Sequence, residues 1–479
     1  LTSGTGATDG GVPRIVVSAL RGGSGKTLLS IGVIAALRRR GKTVAPFKKG
    51  PDYIDAGWLS LAADRPCYNL DTFLIASDAI CRSFFTHAAR GDMAVIEGNR
   101  GLYDGIDDEG TTSTAELAKL LNAPVVLCID CTKSTRTMAA VVDGCRRFDP
   151  EVRLEGVILN RVAGARHQKI LTDTIQRHCG VPVLGAVPKL RSQNFPERHM
   201  GLVPTPEHAW AADSINAAAN VAETHVDLDA LSRIAHDVPP DAPRCDRRLE
   251  ESDAPHIKAP SGNPPKIGII RDSAFQFYYP ENIGALTAAG AEVVFLSPLA
   301  HDRLPDLDAL YIGGGFPETH AGELAAGKGF RRDLKAAVED GLPIYAECGG
   351  LMYLGEALVL DGTRYPMAGV LPVVFGFSRK PQGHGYTVVR VDEPNPYFEP
   401  GTRLRGHEFH YSKVLEWGGG EKDLAFSMER GAGLVGGRDG AVYKNVLATY
   451  THIHALGAVE WGAAMCRNAR AFRMKKKTS

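Results

Sequence analysis

The stretch Arg14-Ile15-Val16-Val17-Ser18-Ala19-Leu20-Arg21-Gly22-Gly23-Ser24-Gly25-Lys26-Thr27 decides the fold of the first half of the chain. A β-branched run passes through closely spaced glycines into Lys-Thr, and a stretch with apolar residues at Leu28, Ile31, Ala35 and Leu37 follows. Glycines between a strand and a helix let successive backbone N–H groups converge on phosphate oxygens, where the helix terminus favours negative charge. The stretch therefore reads as a P-loop, with Leu20 standing where the first glycine of GxxxxGK[ST] is usual. Gly22, Gly23, Ser24, Gly25 and Lys26 are expected to bind ATP phosphates, and Thr27 to ligate Mg²⁺. A merely structural glycine turn would not need Lys-Thr at the helix start.

Outward from this stretch, strand-sized runs at 43–47, 94–97, 125–130, 156–160 and 183–187 alternate with helical stretches, the pattern of a mostly parallel sheet covered by helices. Arg38 to Arg40 suit the end of the first helix, and Gly41 follows as a stop. Seven prolines in residues 239–265 rule out a helix or central strand there. A second alternation starts at 266–270 and continues through 293–296, 309–312 and 344–346. The expectation is an ATP-binding α/β domain over 12–235, a Pro-rich linker over 236–265 and a second α/β domain over 266–470.

The chain has 479 residues, 44% of them hydrophobic and 23% charged, which excludes disorder throughout. Lys+Arg and Asp+Glu balance at 55 each, so the chain lacks the footprint of a general nucleic-acid or anionic-membrane binder. No apolar run approaches the roughly 18 residues of a spanning helix. Nine cysteines that lack the two CxxC pairs of a zinc site and the density of a disulfide scaffold fit a reducing cytoplasm. Residues 1–11 read as a polar lead-in without signal-peptide features, and Lys475-Lys476-Lys477 as a solvated tail.

Acidic residues fall where ligands gather in open parallel sheets: Asp52 and Asp55 in Lys49-Gly50-Pro51-Asp52-Tyr53-Ile54-Asp55, and Glu97 and Asp104 in Glu97-Gly98-Asn99-Arg100-Gly101-Leu102-Tyr103-Asp104-Gly105. Hard oxygens suit Mg²⁺. Taken singly, each carboxylate reads equally as a cap or turn residue.

In the second half, Pro343-Ile344-Tyr345-Ala346-Glu347-Cys348-Gly349-Gly350 ends an apolar strand on a cysteine followed by glycines and a helical stretch. This is elbow geometry: it lifts a nucleophile above the sheet and aims the Gly349 N–H at an oxyanion. Tyr311-Ile312-Gly313-Gly314-Gly315 offers further oxyanion donors at Gly314 and Gly315, and His452 or His454 at the end of another strand signal offers a base. Cys67, Cys128 and Cys145 lack this punctuation and read as structural. His407 and His410 lack the helical spacing of a zinc pair and are expected to shape a domain interface or reach a substrate.

With a P-loop half followed by a Cys/His α/β half, the chain resembles the cobyrinic acid a,c-diamide synthase family over residues 14–470. The likeness is carried by 49–55, 97–105, Pro196-Glu197-Arg198-His199-Met200-Gly201-Leu202, 274–282, 313–318, 347–350 and 406–412. The resemblance implies a P-loop NTPase-type domain followed by a class I glutamine amidotransferase-like domain. The implied activity is amidation of two acetate carboxylates of a cyclic tetrapyrrole, with L-glutamine, ATP and Mg²⁺. It implies that Cys348 attacks glutamine with His452 as base, and that ammonia crosses to the first domain to displace phosphate from an acyl phosphate. Thr27, Asp52 and Glu97 would hold the metal, while Tyr53, Asp55 and Asp104 would serve the substrate or acid/base steps. Asn160 resembles an adenine-reading position. A homodimer is left open.

Because position 454 is His where many class I glutaminases carry Glu, a Cys/His dyad is expected. Trp58, where the cobyrinate enzymes tend to carry His, and Lys48-Lys49 lean towards the branch acting on sirohydrochlorin or sirohaem. The rivals are a partitioning-type P-loop ATPase switch and a tetrapyrrole-binding protein with an inactive glutaminase.

Overall fold

The computed structural model describes residues 11–190, 197–198, 201–202, 210–238 and 263–478. The Pro-rich stretch 239–262, most of the lead-in, and Pro196, His199 and Met200 of the family stretch lie outside the described residues. The chain divides into two compact units, residues 1–253 and 254–479.

The first unit is built on a seven-stranded sheet, ordered Tyr68–Leu70, Val44–Lys49, Met93–Glu97, Arg14–Ala19, Val125–Asp130, Leu154–Val162 and Val183–Pro188. Every pairing in it is parallel. Arg14–Ala19 sits between Met93–Glu97 and Val125–Asp130, so the loop after it opens at a switch in strand order, where open α/β sheets bind ligands.

The first helix, Lys26–Arg39, is buried on nearly every side from Leu29 to Leu37 rather than along one stripe. Its small residues explain this, since a Cβ on Gly32 would stand 2.5 Å from the Ala218 carbonyl oxygen of helix Ala211–His225. The expected strand 43–47 runs instead from Val44 to Lys49. Carboxylates placed by the neighbouring elements neutralise Lys48, so the strand carries a lysine inward at its end.

The second unit holds a ten-stranded sheet. Its first five strands, Glu292–Leu296, Lys266–Ile270, Ala309–Ile312, Ile344–Glu347 and Val446–Thr449, pair in parallel. Five antiparallel strands continue it: Arg438–Tyr443, Leu424–Arg430, Gly383–Val391, Arg403–His410 and His452–Ile453. This antiparallel half has no counterpart in the sequence-based strand assignment.

Val446–Thr449 and His452–Ile453 are nearly contiguous in the chain yet five places apart in the sheet. Two intervening residues span only about 10 Å, so the antiparallel half must curl back upon the parallel half. At the C-terminus, Lys475, Lys476 and Lys477 belong to helix Trp461–Thr478 and are exposed along it. Among the described residues no helix is long and apolar enough to cross a membrane.

Candidate active sites

In the first unit, Lys26 Nζ donates to the Arg100 carbonyl at 2.9 Å and to the Arg21 carbonyl at 3.4 Å, lying across the loop. Gly25 has φ +93°, and a Cβ there would stand 2.3 Å from Asn160 Nδ2, so the position excludes other residues on two counts. Asn160 closes on the loop by donating to the Ser24 carbonyl at 2.8 Å. Beside it opens an apolar recess lined by Gly25, Leu28, Cys128, Ile158 and Val187. Arg161, held at φ +58°, donates to Asp130 at 2.7 Å and reaches the Gly23 carbonyl at 3.4 Å.

Thr27 Oγ1 donates to Glu97 Oε1 at 2.7 Å and lies 3.3 Å from Asp55 Oδ2. Lys48 Nζ joins them, 2.9 Å from both carboxylates. Asp55, rather than Asp52, is therefore the acid brought to Thr27. Asp52 Oδ1 instead caps the following helix by accepting the Asp55 N–H at 2.9 Å, and its Oδ2 stands 4.0 Å from Lys48. Asp104 is exposed and accepts the Gly101 N–H at 2.8 Å, the turn role of a short acidic side chain. Tyr53 stands half-buried at the N-cap position of helix Ile54–Ala63.

The charges sort by environment. Burial, then Asp55, pushes the Asp52 carboxyl up to about 7. Burial also raises Glu97; burial would raise Asp55 too, but Lys48 together with the hydrogen bonds from Asp52 and Thr27 holds it below the ordinary range. Lys48 in turn stays well above its ordinary range, since Asp55 and Glu97 overcome the burial that would lower it. Trp58 is 0% exposed and belongs to the core of the unit.

In the second unit Cys348 has φ +46° and sits between strand Ile344–Glu347 and helix Gly349–Leu354, the strained turn expected of an elbow. Its N–H donates to the Thr449 carbonyl at 2.7 Å. Burial, then the Glu318 carboxylate, pushes the thiol above its ordinary range, opposed by the Gly349 N–H.

A Cβ on Gly349 would stand 3.0 Å from Gly315 N, and a Cβ on Gly314 would stand 2.5 Å from His452 Cε1. The Gly314–Gly315 pair thus separates the Cys348 turn from the His452 ring by no more than backbone. Gly314 and Gly315 are fixed in turn by antiparallel pairing with Phe277 and Phe275.

His452 stacks on His407, with ring centroids 4.9 Å apart. Its Nδ1 lies 3.2 Å from Glu347 Oε2, so the expected dyad has a carboxylate beside it. Burial, then His452 and His454, holds His407 well below its ordinary range. Asp439, fully buried, accepts from the Thr449 hydroxyl at 2.6 Å and from the Tyr450 and Thr451 N–H groups at 3.0 and 3.1 Å. It thereby fixes the step from Thr449 to His452.

His410 stacks on Tyr450 at 3.6 Å, and its Nδ1 lies 2.9 Å from the Ser412 carbonyl. His407, Glu408 and His410 are buried, His407 against the His452 ring and His410 against Tyr450. His454 faces Glu281 at 3.6 Å. Among the described residues no group of three or more His, Cys, Asp or Glu side chains is arranged to hold a metal by itself.

Sequence reasoning passed over Lys48 and Glu347 as site residues. Each is a charged side chain in the last two positions of an otherwise apolar strand that runs into a glycine- or cysteine-bearing turn, and that incongruity is the signal available in the sequence.

A P-loop sheet joined to a Cys/His elbow unit defines a glutamine-dependent, nucleotide-using ligase. Residues 15–203 match the CobQ/CobB/MinD/ParA nucleotide binding domain, and residues 266–459 match the CobB/CobQ-like glutamine amidotransferase domain. Cobyrinate a,c-diamide synthase of Magnetococcus marinus is 43% identical over 95% of this chain and 97% of its own. The Archaeoglobus fulgidus protein of the same name is 40% identical over 93% and 95%, and that of Methanosarcina barkeri 37% over 96% and 97%. The chain belongs to the cobyrinate a,c-diamide synthase family.

Proposed function

We propose that the protein uses glutamine and ATP to convert the a- and c-acetate carboxylates of cobyrinate into amides. The observation that carries this reading is the presence of two separately built sites in one chain: a phosphate loop beside acidic groups and a thiol beside an imidazole. A carboxylate resists attack by ammonia because hydroxide is a poor leaving group, so activation and nitrogen release are different tasks.

In the second unit His452 takes the Cys348 proton as sulfur attacks the glutamine amide, and the Gly315 and Gly349 N–H groups face the developing oxyanion. Ammonia leaves, and water clears the thioester as glutamate. In the first unit Gly22, Gly23, Ser24, Gly25 and Lys26 hold the ATP phosphates while the γ-phosphoryl group passes to a substrate carboxylate. Ammonia then displaces phosphate. Asn160, against the apolar recess, meets the adenine. Asp55, with Tyr53 beside it, faces the substrate carboxylate.

Thr27, Asp55 and Glu97 fit Mg²⁺. Their donors are hard oxygens, and Glu97 Oε2 is buried without a hydrogen-bond partner. The ion would neutralise charge on the transferring phosphoryl group. Asp52 stands one step behind.

Cobyrinate is favoured over sirohydrochlorin or sirohaem because relatives 37–43% identical over more than nine-tenths of the chain carry the name cobyrinate a,c-diamide synthase. Incubating the protein with each ring, glutamine and ATP and weighing the products tests this. Two sequential replacements of OH by NH₂ on cobyrinate are expected, and amidation of only the sirohydrochlorin ring would refute the choice. Cys348→Ser is expected to abolish product from glutamine while sparing product from added ammonia.

A further inference from the structure

Burial and Glu318 favour the protonated form of Cys348, and an imidazole that takes this proton must present a bare nitrogen to it and carry a positive charge while the thioester forms. The position two residues after the histidine, where a carboxylate commonly stands, is His454, and it faces Glu281 rather than His452. A different carboxylate meets the ring. Glu347, fully buried on the strand that leads into Cys348, places Oε2 3.2 Å from His452 Nδ1 and accepts the Ile453 N–H on Oε1 at 3.2 Å.

The hydrogen-bond chain fixes the direction of every proton. Asn282 Nδ2 donates to the Ile453 carbonyl at 3.0 Å and to the Tyr311 hydroxyl oxygen at 3.3 Å, which leaves the Tyr311 proton to go to Glu347 Oε2 at 3.1 Å. Glu347 therefore serves as an acceptor on both oxygens, and the nitrogen facing it must be a donor. With Nδ1 bearing hydrogen, Nε2 is left as the lone-pair atom, on the side of Gly314 and the Cys348 turn.

The other groups facing the ring do not supply this. His407 stacks on it as a neutral imidazole, Tyr279 bonds to His407, and His454 is engaged with Glu281. Glu318 and Glu408 both raise the Cys348 thiol.

We infer that Glu347, the residue immediately before the nucleophile, is the positioning residue that sets the tautomer of His452 and stabilises its imidazolium. The nucleophile and the carboxylate of the triad are thus consecutive residues, one on each side of the strand's end. In the step they support, the Sγ–H bond breaks, Sγ bonds to the glutamine amide carbon, and the proton moves to His452 Nε2. The same proton then leaves with the amide nitrogen as ammonia.

The inference rests on the amidotransferase reading, and its test separates the two. In the full chain, Glu347→Gln presents an amide that can donate to Nδ1 and hold the wrong tautomer, so kcat for glutamine-driven amidation should fall about 10²–10⁴-fold with KM for glutamine within about threefold. Its pH profile should lose the limb belonging to the base. Glu347→Asp should recover part of the loss, and Tyr311→Phe, which deletes one donor to the carboxylate, should cost about three- to tenfold with the profile shifted.

Ammonia-driven product and the melting temperature report whether each variant is folded. If Glu347→Gln unfolds the second unit, the graded losses in Glu347→Asp and Tyr311→Phe carry the test. Glutamine-driven kcat and pH profile within threefold of the parent in the folded variants would overturn the role of Glu347. Glutamine-driven product from Cys348→Ser would instead overturn the amidotransferase reading itself.

Discussion

Lys48 Nζ stands 2.9 Å from Glu97 Oε1, and the two side chains are 2% and 1% exposed. Such a pair is weak evidence of net stability, because desolvating both ions offsets their attraction, but removing one partner strands the other. Asp55, equally close to Lys48, would be stranded as well.

Lys48→Met is therefore expected to destabilise the first unit by about 3 kcal/mol at neutral pH. The sign of the pH dependence follows. Without the ammonium, the folded pKa of Asp55 rises above its unfolded value and that of Glu97, already raised, climbs further, so the folded variant binds protons that the unfolded chain has lost. The deficit in melting temperature should be widest near pH 8 and narrow towards pH 5. A deficit independent of pH would show that Lys48 does not hold these carboxylates.

Lys26→Ala should abolish product from glutamine and from ammonia alike, because both nitrogen sources depend on the same activated acid. The Lys26 ammonium spans the loop from the helix start to the Arg100 carbonyl, where the phosphates would lie. ADP formation and product mass measured in parallel check this. Product from ammonia at the parent rate would remove Lys26 from phosphate binding.

The parts of this architecture legible in the sequence are those where local chemistry and tertiary structure agree. Glycines and Lys-Thr after a β-branched run leave little choice, and Cys348 before two glycines is nearly as constrained. Lys48 and Glu347 were hidden because their meaning lies in what other elements bring to them. Glu97 arrives from a strand 49 residues away, and His452 from one 105 residues away. Asp52 and Asp55 sat in one motif with equal claims, and what separates them is that Asp55 reaches Thr27 and Lys48 while Asp52 turns to the Asp55 N–H. The antiparallel half was missed because its strands alternate buried and exposed positions without a continuous apolar run, and the 406–412 stretch within it was read for its histidines rather than as a strand, although the curl they form delivers His452.

The Cys348 thiol, raised by burial and by Glu318, should react slowly with a small neutral alkylating agent at pH 7. Because a raised pKa keeps the thiolate fraction small, the rate should climb tenfold per pH unit through pH 9 without a plateau. Glu318→Gln should speed alkylation at fixed pH by removing a negative neighbour. Mass-resolved labelling of Cys348 measures both, and a plateau below pH 8 would contradict the raised thiol.

Asp439 tests whether the Thr449 to His452 step is what holds the base in place. Its carboxylate accepts from the Thr449 hydroxyl and from the N–H groups of Tyr450 and Thr451, with the Gly440 N–H on the same group at 2.8 Å. Asn keeps the shape but turns one acceptor into a donor, leaving buried N–H or O–H groups unpaired at about 1–3 kcal/mol each. Asp439→Asn should therefore lower the stability of the second unit by about 2–4 kcal/mol. Since the Cys348 N–H bonds to the Thr449 carbonyl, the same change loosens nucleophile and base together. Below its melting temperature the variant should lose glutamine-driven turnover well beyond its loss of ammonia-driven turnover, whereas an equal loss of both would mean that Asp439 acts on the whole chain rather than on this step.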